Sequence, residues 1–118
     1  MQLNLALPYR VPNDERFKQQ FPTTFAISAY LITNAVVAKY QRMGMNQTEA
    51  RVWGAIQNAL FDARGQGHET IEVSRDSLQF LYEHVDGWSV PPAFASWFLV
   101  LLAALAAALE VMNYTEAN

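Results

Sequence analysis

Residues 88–109 read WSVPPAFASWFLVLLAALAAAL, a run of 22 residues without one ionisable side chain. A segment this apolar is driven out of water, so something must cover it. The cover is the chain's own core, a second copy, a partner protein or a lipid bilayer. Pro91 and Pro92 suit the first turn of a helix, and the leucines and alanines that follow extend it to about Met112. The run therefore predicts a long, apolar C-terminal helix.

Bulky and small side chains are combined along this helix. The alanines would let a second helix approach closely, while the leucines and phenylalanines provide contact area. Trp88 follows Gly87 on the turn before the helix, where an aromatic ring with one wet edge either anchors a partner or covers the core. The interface candidates are therefore Trp88, Phe94, Trp97, Ala103, Ala104, Ala107 and Val111, together with Tyr9 from the N-terminal arm.

Three further helices are predicted upstream from apolar periodicity and from their end signals. The first covers residues 23–42 and is apolar nearly all round, which predicts a central, buried helix. The second covers residues 46–65 and opens with N-Q-T-E, the spacing of a capping box. The third covers residues 75–86, with Ser74 as its N-cap.

Three polar side chains, Ser28, Thr33 and Asn34, interrupt the apolar surface of the first of these helices. The Ser28 hydroxyl can bond to a backbone carbonyl one turn earlier, as hydroxyls in helices commonly do. Asn34 has no such simple solution, and a buried amide without a partner costs about 1–3 kcal/mol. We therefore expect Asn34 to fix the register between two helices.

Two short segments carry the pattern of strands. Residues 3–7 alternate leucine with small or polar residues, and residues 70–73 are the only other strand-like run. A lone strand needs a mate, so the two segments are predicted to pair, within one chain or between two copies. Between the arm and the first long helix, Asn13 is placed to cap a short helical turn toward Phe21.

The fold class that follows is all-α: a small bundle of three to four main helices with a hydrophobic C-terminal helix. A minimal two-stranded pairing of the arm with residues 70–73 is added to it. We expect one domain over residues 1–118, with an extended arm at 1–21, a helical pair at 22–65 and C-terminal helices at 70–118. A chain of 118 residues has room for one such domain.

The sequence lacks motifs that carry chemistry. It contains no cysteine, which excludes disulfides and thiolate sites. His68 lies in a glycine-rich connector and His84 stands beside Glu83 on a helix, and we expect both imidazoles to be solvated. No phosphate-binding loop, nucleophile elbow or zinc motif is present. The sequence therefore predicts no catalytic residue, no metal, no cofactor and no enzymatic activity.

Charge is unevenly distributed along the chain. The formal net charge is −3, and all eight Lys and Arg residues lie at or before Arg75, whereas carboxylates continue to Glu116. Nucleic acid is a disfavoured partner, because phosphate binding requires clustered cations. The acidic residues either form a rim that attracts a basic partner to the apolar helix or are an ordinary solvated surface.

These observations favour a non-catalytic interaction protein: an adaptor, inhibitor or assembly subunit that binds a partner protein or forms a homo-oligomer. Short, cysteine-free helical chains with an extended arm are common among accessory proteins of viruses and mobile elements, which is an association of style and not a family match. No secretory signal opens the chain, and the absence of cysteine suits a reducing, cytoplasmic location.

The alternative is a small subunit of a membrane complex, anchored by the apolar helix at residues 91–112. Spanning a bilayer takes about 20 apolar residues, so the length permits it. The flanks disfavour it, because they carry carboxylates and no Lys or Arg to set an orientation.

Overall fold

The fold is built from helices that surround one core, with a very small sheet at one edge. The computed structural model describes residues 1–117, and the side chains through residue 115. The helices are α1 (Glu15–Gln20), α2 (Thr24–Tyr40), α3 (Gln47–Gly65), α4 (Arg75–Asp86) and α5 (Ala95–Ala117), and the strands are β1 (Gln2–Asn4) and β2 (Thr70–Glu72). The predicted class, a small all-α bundle with a hydrophobic C-terminal helix and a minimal strand pairing, is confirmed.

Strands β1 and β2 pair antiparallel, with Leu3 opposite Ile71, and both of these side chains are buried. Backbone bonds continue beyond the strands, from the Leu5 amide to the Glu69 carbonyl (2.9 Å) and from the Val73 amide to the Met1 carbonyl (2.9 Å). The alternating leucines of the arm therefore face the core, as their period of two predicts. The predicted pairing is confirmed, and it forms within one chain.

The helix starts follow the predicted capping residues with one exception. Asn46 and Glu49 form a complete capping box at the start of α3, and Ser74 accepts a bond from the amide of Ser77 at the start of α4. The cap of α1 is Asp14 and not Asn13, because the Asp14 carboxylate accepts from the Arg16 amide. Asn13 was the wrong choice; its amide oxygen accepts from the Lys18 ammonium instead.

Helix α5 is preceded by a short 3-10 turn at Pro92–Phe94 and extends to Ala117, past the predicted end at Met112. Residues 113–117 include no glycine or proline, and glycine and proline are the usual helix-ending residues. Helix α5 therefore extends beyond the C-terminal end of the apolar run from which it was predicted.

Helix α4 occupies the centre of the bundle, where it packs against α2, α3 and α5. Leu78, Leu81 and Val85 are completely enclosed. Helix α2 is also largely buried, as its apolar surface predicts: eight of its 17 residues lie in the core, the last of them Val36. Only its C-terminal end is open to solvent, where Val37 is 50% exposed.

Two hydrogen bonds in series fix the N-terminal arm to α2. The Ser28 hydroxyl donates to the Leu5 carbonyl (2.6 Å), so the Tyr9 hydroxyl donates to the Ser28 oxygen (2.6 Å). Burial raises the pKa of Tyr9 to about 12, which keeps the phenol protonated and able to donate. Ser28 thus bonds across to the arm and not back along its own helix as predicted.

Asn34 also departs from its predicted role. It is half-buried, and its side-chain amide donates to the Tyr30 carbonyl one turn earlier (2.7 Å). This local bond satisfies the donor that the sequence argument left without a partner. Asn34 therefore forms no bond that would fix the register between helices.

Replacing Ser28 with alanine should destabilise the protein by about 1–3 kcal/mol, because the Leu5 carbonyl and the Tyr9 hydroxyl would both lose a buried partner. Tyr9→Phe should cost less, since the bond from Ser28 to Leu5 remains. Urea unfolding would measure both changes. The matched control is Thr115→Ala, which removes an exposed hydroxyl bond to the Val111 carbonyl and should change stability by less than about 0.5 kcal/mol. Equal effects of Ser28→Ala and Thr115→Ala would contradict the role of the buried bonds.

Candidate interaction surface

Helix α5 has two apolar sides, and only one of them enters the core. Its inner face consists of Trp97, Leu101, Leu105 and Leu109, one residue in every four, and each side chain is buried. The two leucines in the middle are completely enclosed. Successive residues turn by about 100° around a helix, so positions two apart lie on nearly opposite sides. The residues two positions after each inner residue therefore point away from the core.

These residues form the outer face of α5: Leu99, Ala103, Ala107 and Val111, again one in every four. All four are exposed, with Leu99 at 62% and Val111 at 56% of their full accessible surface. Tyr114 continues the face toward the C-terminal end and is 73% exposed. A row of exposed apolar side chains on a helix is a typical feature of a surface that binds something.

The other exposed large apolar side chains are dispersed over different elements. They are Met1, Val11, Val37, Met43 and Phe61, which lie on the arm, α2, the connector after it and α3. Single exposed apolar residues are normal on protein surfaces. Only α5 aligns several of them, so its outer face is the strongest candidate interaction surface among the described residues.

Charge on α5 is confined to its C-terminal half. The helix carries no Lys or Arg, and Glu110 is exposed beside the outer face. At the other end, the carbonyl of Arg10 accepts a bond from the Trp97 indole (2.9 Å), which brings residues 10–18, with a net charge of +1, to the N-terminal end of α5. The surroundings of the two ends of α5 are therefore of opposite net charge.

The candidates predicted from sequence separate into two groups. Ala103, Ala107 and Val111 lie on the outer face, and Ala104 lies half-buried at its edge. Trp97 and Tyr9 are each 7% exposed and belong to the core of this chain, where a partner does not reach them. Phe94 is half-buried with its ring stacked on Trp97 at 5.7 Å. Leu99, the most exposed leucine of the surface, was not among the candidates.

Trp88 lies half-buried on the turn between α4 and α5, with its ring edge-on to Phe98 at 6.3 Å. It also lines a cleft of about 420 Å³ together with Lys39, Glu83 and His84. The indole therefore covers the core on one side and faces this cleft on the other. Its packing agrees with the interpretation of Trp88 as a cover on the core, and its interpretation as an interface anchor stays a prediction.

His84, which lines this cleft, forms a group with Tyr40 and Glu49 that was not anticipated from sequence. His84 is 7% exposed, which contradicts the expectation of a solvated imidazole. Its ring stacks on Phe80 at 3.9 Å, its Nδ1 bonds to the Phe80 carbonyl (2.7 Å) and its Nε2 contacts the Tyr40 hydroxyl (2.8 Å). The same hydroxyl donates to the Glu49 carboxylate. Side chains from α2, α3 and α4 thus meet at one point.

The hydrogen bonds of His84 define its tautomer. A carbonyl only accepts, so Nδ1 carries a proton and donates to Phe80. In the neutral ring Nε2 is then an acceptor, and it competes with the Glu49 carboxylate for the one proton of Tyr40. Both ring nitrogens are occupied by internal contacts. These contacts hold the imidazole in one orientation.

Burial lowers the pKa of His84, although the bond to the Phe80 carbonyl and the charges of Glu83 and Glu49 oppose the shift. Burial and the bond to Glu49 raise the pKa of Tyr40 to about 12. The hydrogen bond from Tyr40 and the Asn46 amide lower the pKa of Glu49. The resulting charge state is a neutral imidazole, a neutral phenol and an ionised carboxylate.

This charge state makes the stability dependent on pH. Because the folded state lowers the pKa of His84 below its ordinary 6.5, the unfolded chain binds the proton more readily. The stability should be constant above about pH 7 and fall as the pH drops below about 6.5. Chemical denaturation at pH 7.5 and pH 5.5 measures the difference. His84→Gln should reduce it, whereas His68→Gln, at an exposed loop position, should leave it unchanged; an equal effect of both variants would contradict the assignment.

Within residues 1–117, one helix is long and apolar enough to cross a membrane by length and composition, at Pro92–Thr115. Only 17% of its most apolar stretch is buried inside the fold, whereas the core helix of a soluble protein is mostly buried. In the same described part, no three His, Asp or Glu side chains are grouped to hold a metal ion. The exposure of α5 is thus the feature that demands an explanation.

Comparison with known proteins does not supply that explanation. No family model, curated protein or solved structure matches the chain.

Proposed function

We propose that this protein is a non-catalytic interaction protein that binds protein through the outer face of α5. The observation that carries the proposal is the row of Leu99, Ala103, Ala107 and Val111, exposed on a helix whose opposite side is buried. An apolar face of this kind is covered when an amphipathic helix or groove packs on it. The role that fits is that of a cytoplasmic adaptor, inhibitor or assembly subunit, of the kind found among viral accessory proteins.

The anchoring of α5 supports this role. The inner face is enclosed by the bundle, and Trp97 is held in place by its bond to the arm and by the rings of Phe17 and Phe21 at 5.0 Å and 6.0 Å. A helix fixed in this way presents its outer face in one conformation. Binding to a preorganised surface loses little conformational entropy, which favours affinity.

The state of the titratable residues also supports a non-catalytic role. His84 and Tyr40 use their polar atoms on each other, on Glu49 and on the backbone. Among the residues described, no buried polar side-chain atom lacks a hydrogen-bond partner. A site built for chemistry typically keeps a reactive group poised toward substrate, and the His84 cluster does not.

A second candidate function is membrane attachment, which the length and exposure of α5 favour. Spanning a bilayer would require α5 to leave the bundle, and Leu101 and Leu105, both completely enclosed, would then leave the core. Attachment of the outer face to a bilayer surface would keep the core intact. Glu110 and the absence of Lys and Arg on the helix disfavour contact with anionic lipid.

The proposal predicts that Leu99→Lys abolishes association without unfolding the protein. The position is exposed, so the free energy of unfolding should change by less than about 0.5 kcal/mol. A charge in the middle of an apolar contact should be much more costly to binding. In gently lysed cells, the apparent mass of the variant by size-exclusion chromatography should fall toward the 13.3 kDa of one chain.

The matched control is Val37→Lys, which places the same charge at an exposed apolar position on α2. It should leave the apparent mass as in the unaltered protein. If Leu99→Lys and Val37→Lys behave alike, the outer face is not the interaction surface. Recovery of the unaltered protein with the lipid pellet, and release only by detergent, would favour membrane attachment instead.

A further inference from the structure

We infer that the outer face of α5 is covered by the same face of a second copy of this chain, packed antiparallel. The inference rests on the proposed function, because it names the partner for the same surface. It follows from three observations on α5: the order of side chains along the outer face, the position of Glu110, and the opposite charges at the two ends of the helix.

The order of side chains reads the same in both directions. From Leu99 to Val111 the outer face is large, small, small, large, with a constant spacing of four residues. Two antiparallel copies therefore place Leu99 opposite Val111 of the partner subunit and Ala103 opposite Ala107 of the partner subunit. The alanines allow the backbones to approach closely at the centre, and the larger residues close the contact on both sides. Such a self-complementary patch is what a two-fold dimer requires.

The position of Glu110 selects the antiparallel arrangement. In a parallel pair, Glu110 would lie beside its own equivalent, and the two helix dipoles would be aligned side by side. In the antiparallel register, Glu110 lies level with Val100 of the partner subunit. The two carboxylates are then about 15 Å apart along the helix axis, since a helix rises about 1.5 Å per residue.

The charges at the ends of α5 support the same arrangement. The carbonyl of Arg10 is bonded to Trp97, and the ring of Phe17 on α1 lies 5.0 Å from the Trp97 ring. The arm and α1 therefore bring three cations (Arg10, Arg16 and Lys18) and two carboxylates (Asp14 and Glu15) to the N-terminal end of α5, a net charge of +1 (three minus two). An antiparallel partner presents its acidic C-terminal half to this weakly positive end, whereas a parallel partner would bring the two acidic halves together.

The absence of cysteine from the sequence makes a clean crosslinking test available. One preparation carries Leu99→Cys and a second, with a size tag, carries Val111→Cys. The two are mixed and treated with a short bis-maleimide. In the antiparallel register the mixed pair is adjacent, whereas two copies of Leu99→Cys have thiols about 18 Å apart along the axis, beyond the reach of the linker.

The expected result is a mixed-size dimer that forms about tenfold faster than either same-size dimer, because a docked partner presents an effective concentration of the order of millimolar. The control is Met43→Cys, which is 88% exposed on the connector between α2 and α3 and reports random collision. Crosslinking between two copies of the Leu99→Cys variant at this higher rate would overturn the antiparallel register in favour of a parallel pair.

The remaining outcomes are also decisive. Crosslinking at the rate of the Met43→Cys control, with a monomer mass by light scattering, would overturn self-association. That result would leave the Leu99→Lys experiment as the separate test of the proposed function, with a different protein as the partner. Flotation of the unaltered protein with phosphatidylcholine vesicles, together with loss of crosslinking, would overturn the inference in favour of lipid.

Discussion

The packing of the inner face of α5 on the bundle is the contact on which the rest of the structure depends. Leu101 and Leu105 are completely enclosed, and the helix packs mainly on α4, which lies at the centre of the fold. Burying a leucine side chain contributes about 1.5–3 kcal/mol, and four residues of α5 are buried in this way. The C-terminal helix is therefore part of the core and not an appendage. Because the inner face of α5 is fixed in the core, the outer face is rigid as well.

Much of the fold follows from local sequence signals, but these signals do not show which side of α5 packs on the core. The boundaries of α3 and α4 are set by Asn46 and Ser74, whose capping side chains are recognisable in the sequence, and the strand pairing is set by the alternating leucines of the arm. On α5, however, Leu101 and Leu102 are chemically alike. Because the helix is apolar all round, periodicity cannot distinguish the side that packs from the side that is exposed.

Trp97, Tyr9 and His84 are more buried than the sequence predicts, and for one physical reason. Each of them bonds to a residue that is distant in the sequence. Trp97 can be buried because its indole donates a hydrogen bond to the carbonyl of Arg10, and Tyr9 because its hydroxyl donates one to the Ser28 oxygen. His84 stands beside Glu83 in the sequence, so it resembles a surface residue. Its burial depends on Tyr40, which comes from another helix. The burial of polar side chains that join separate elements is the hardest to predict from sequence, because no local pattern indicates it.

The pairing of β1 with β2 has a consequence for the order in which the molecule is assembled. Residues 2–4 are synthesised well before their strand partner at 70–72, which follows α1, α2 and α3. Strand β1 therefore stays unpaired while most of the chain is made, although Leu5 and Tyr9 can already bond to Ser28 on α2. Long-range pairing of this kind slows folding, because the chain between the two strands must first be brought into a closed loop. Strand β1 thus reaches its final position only after the chain has been made through β2.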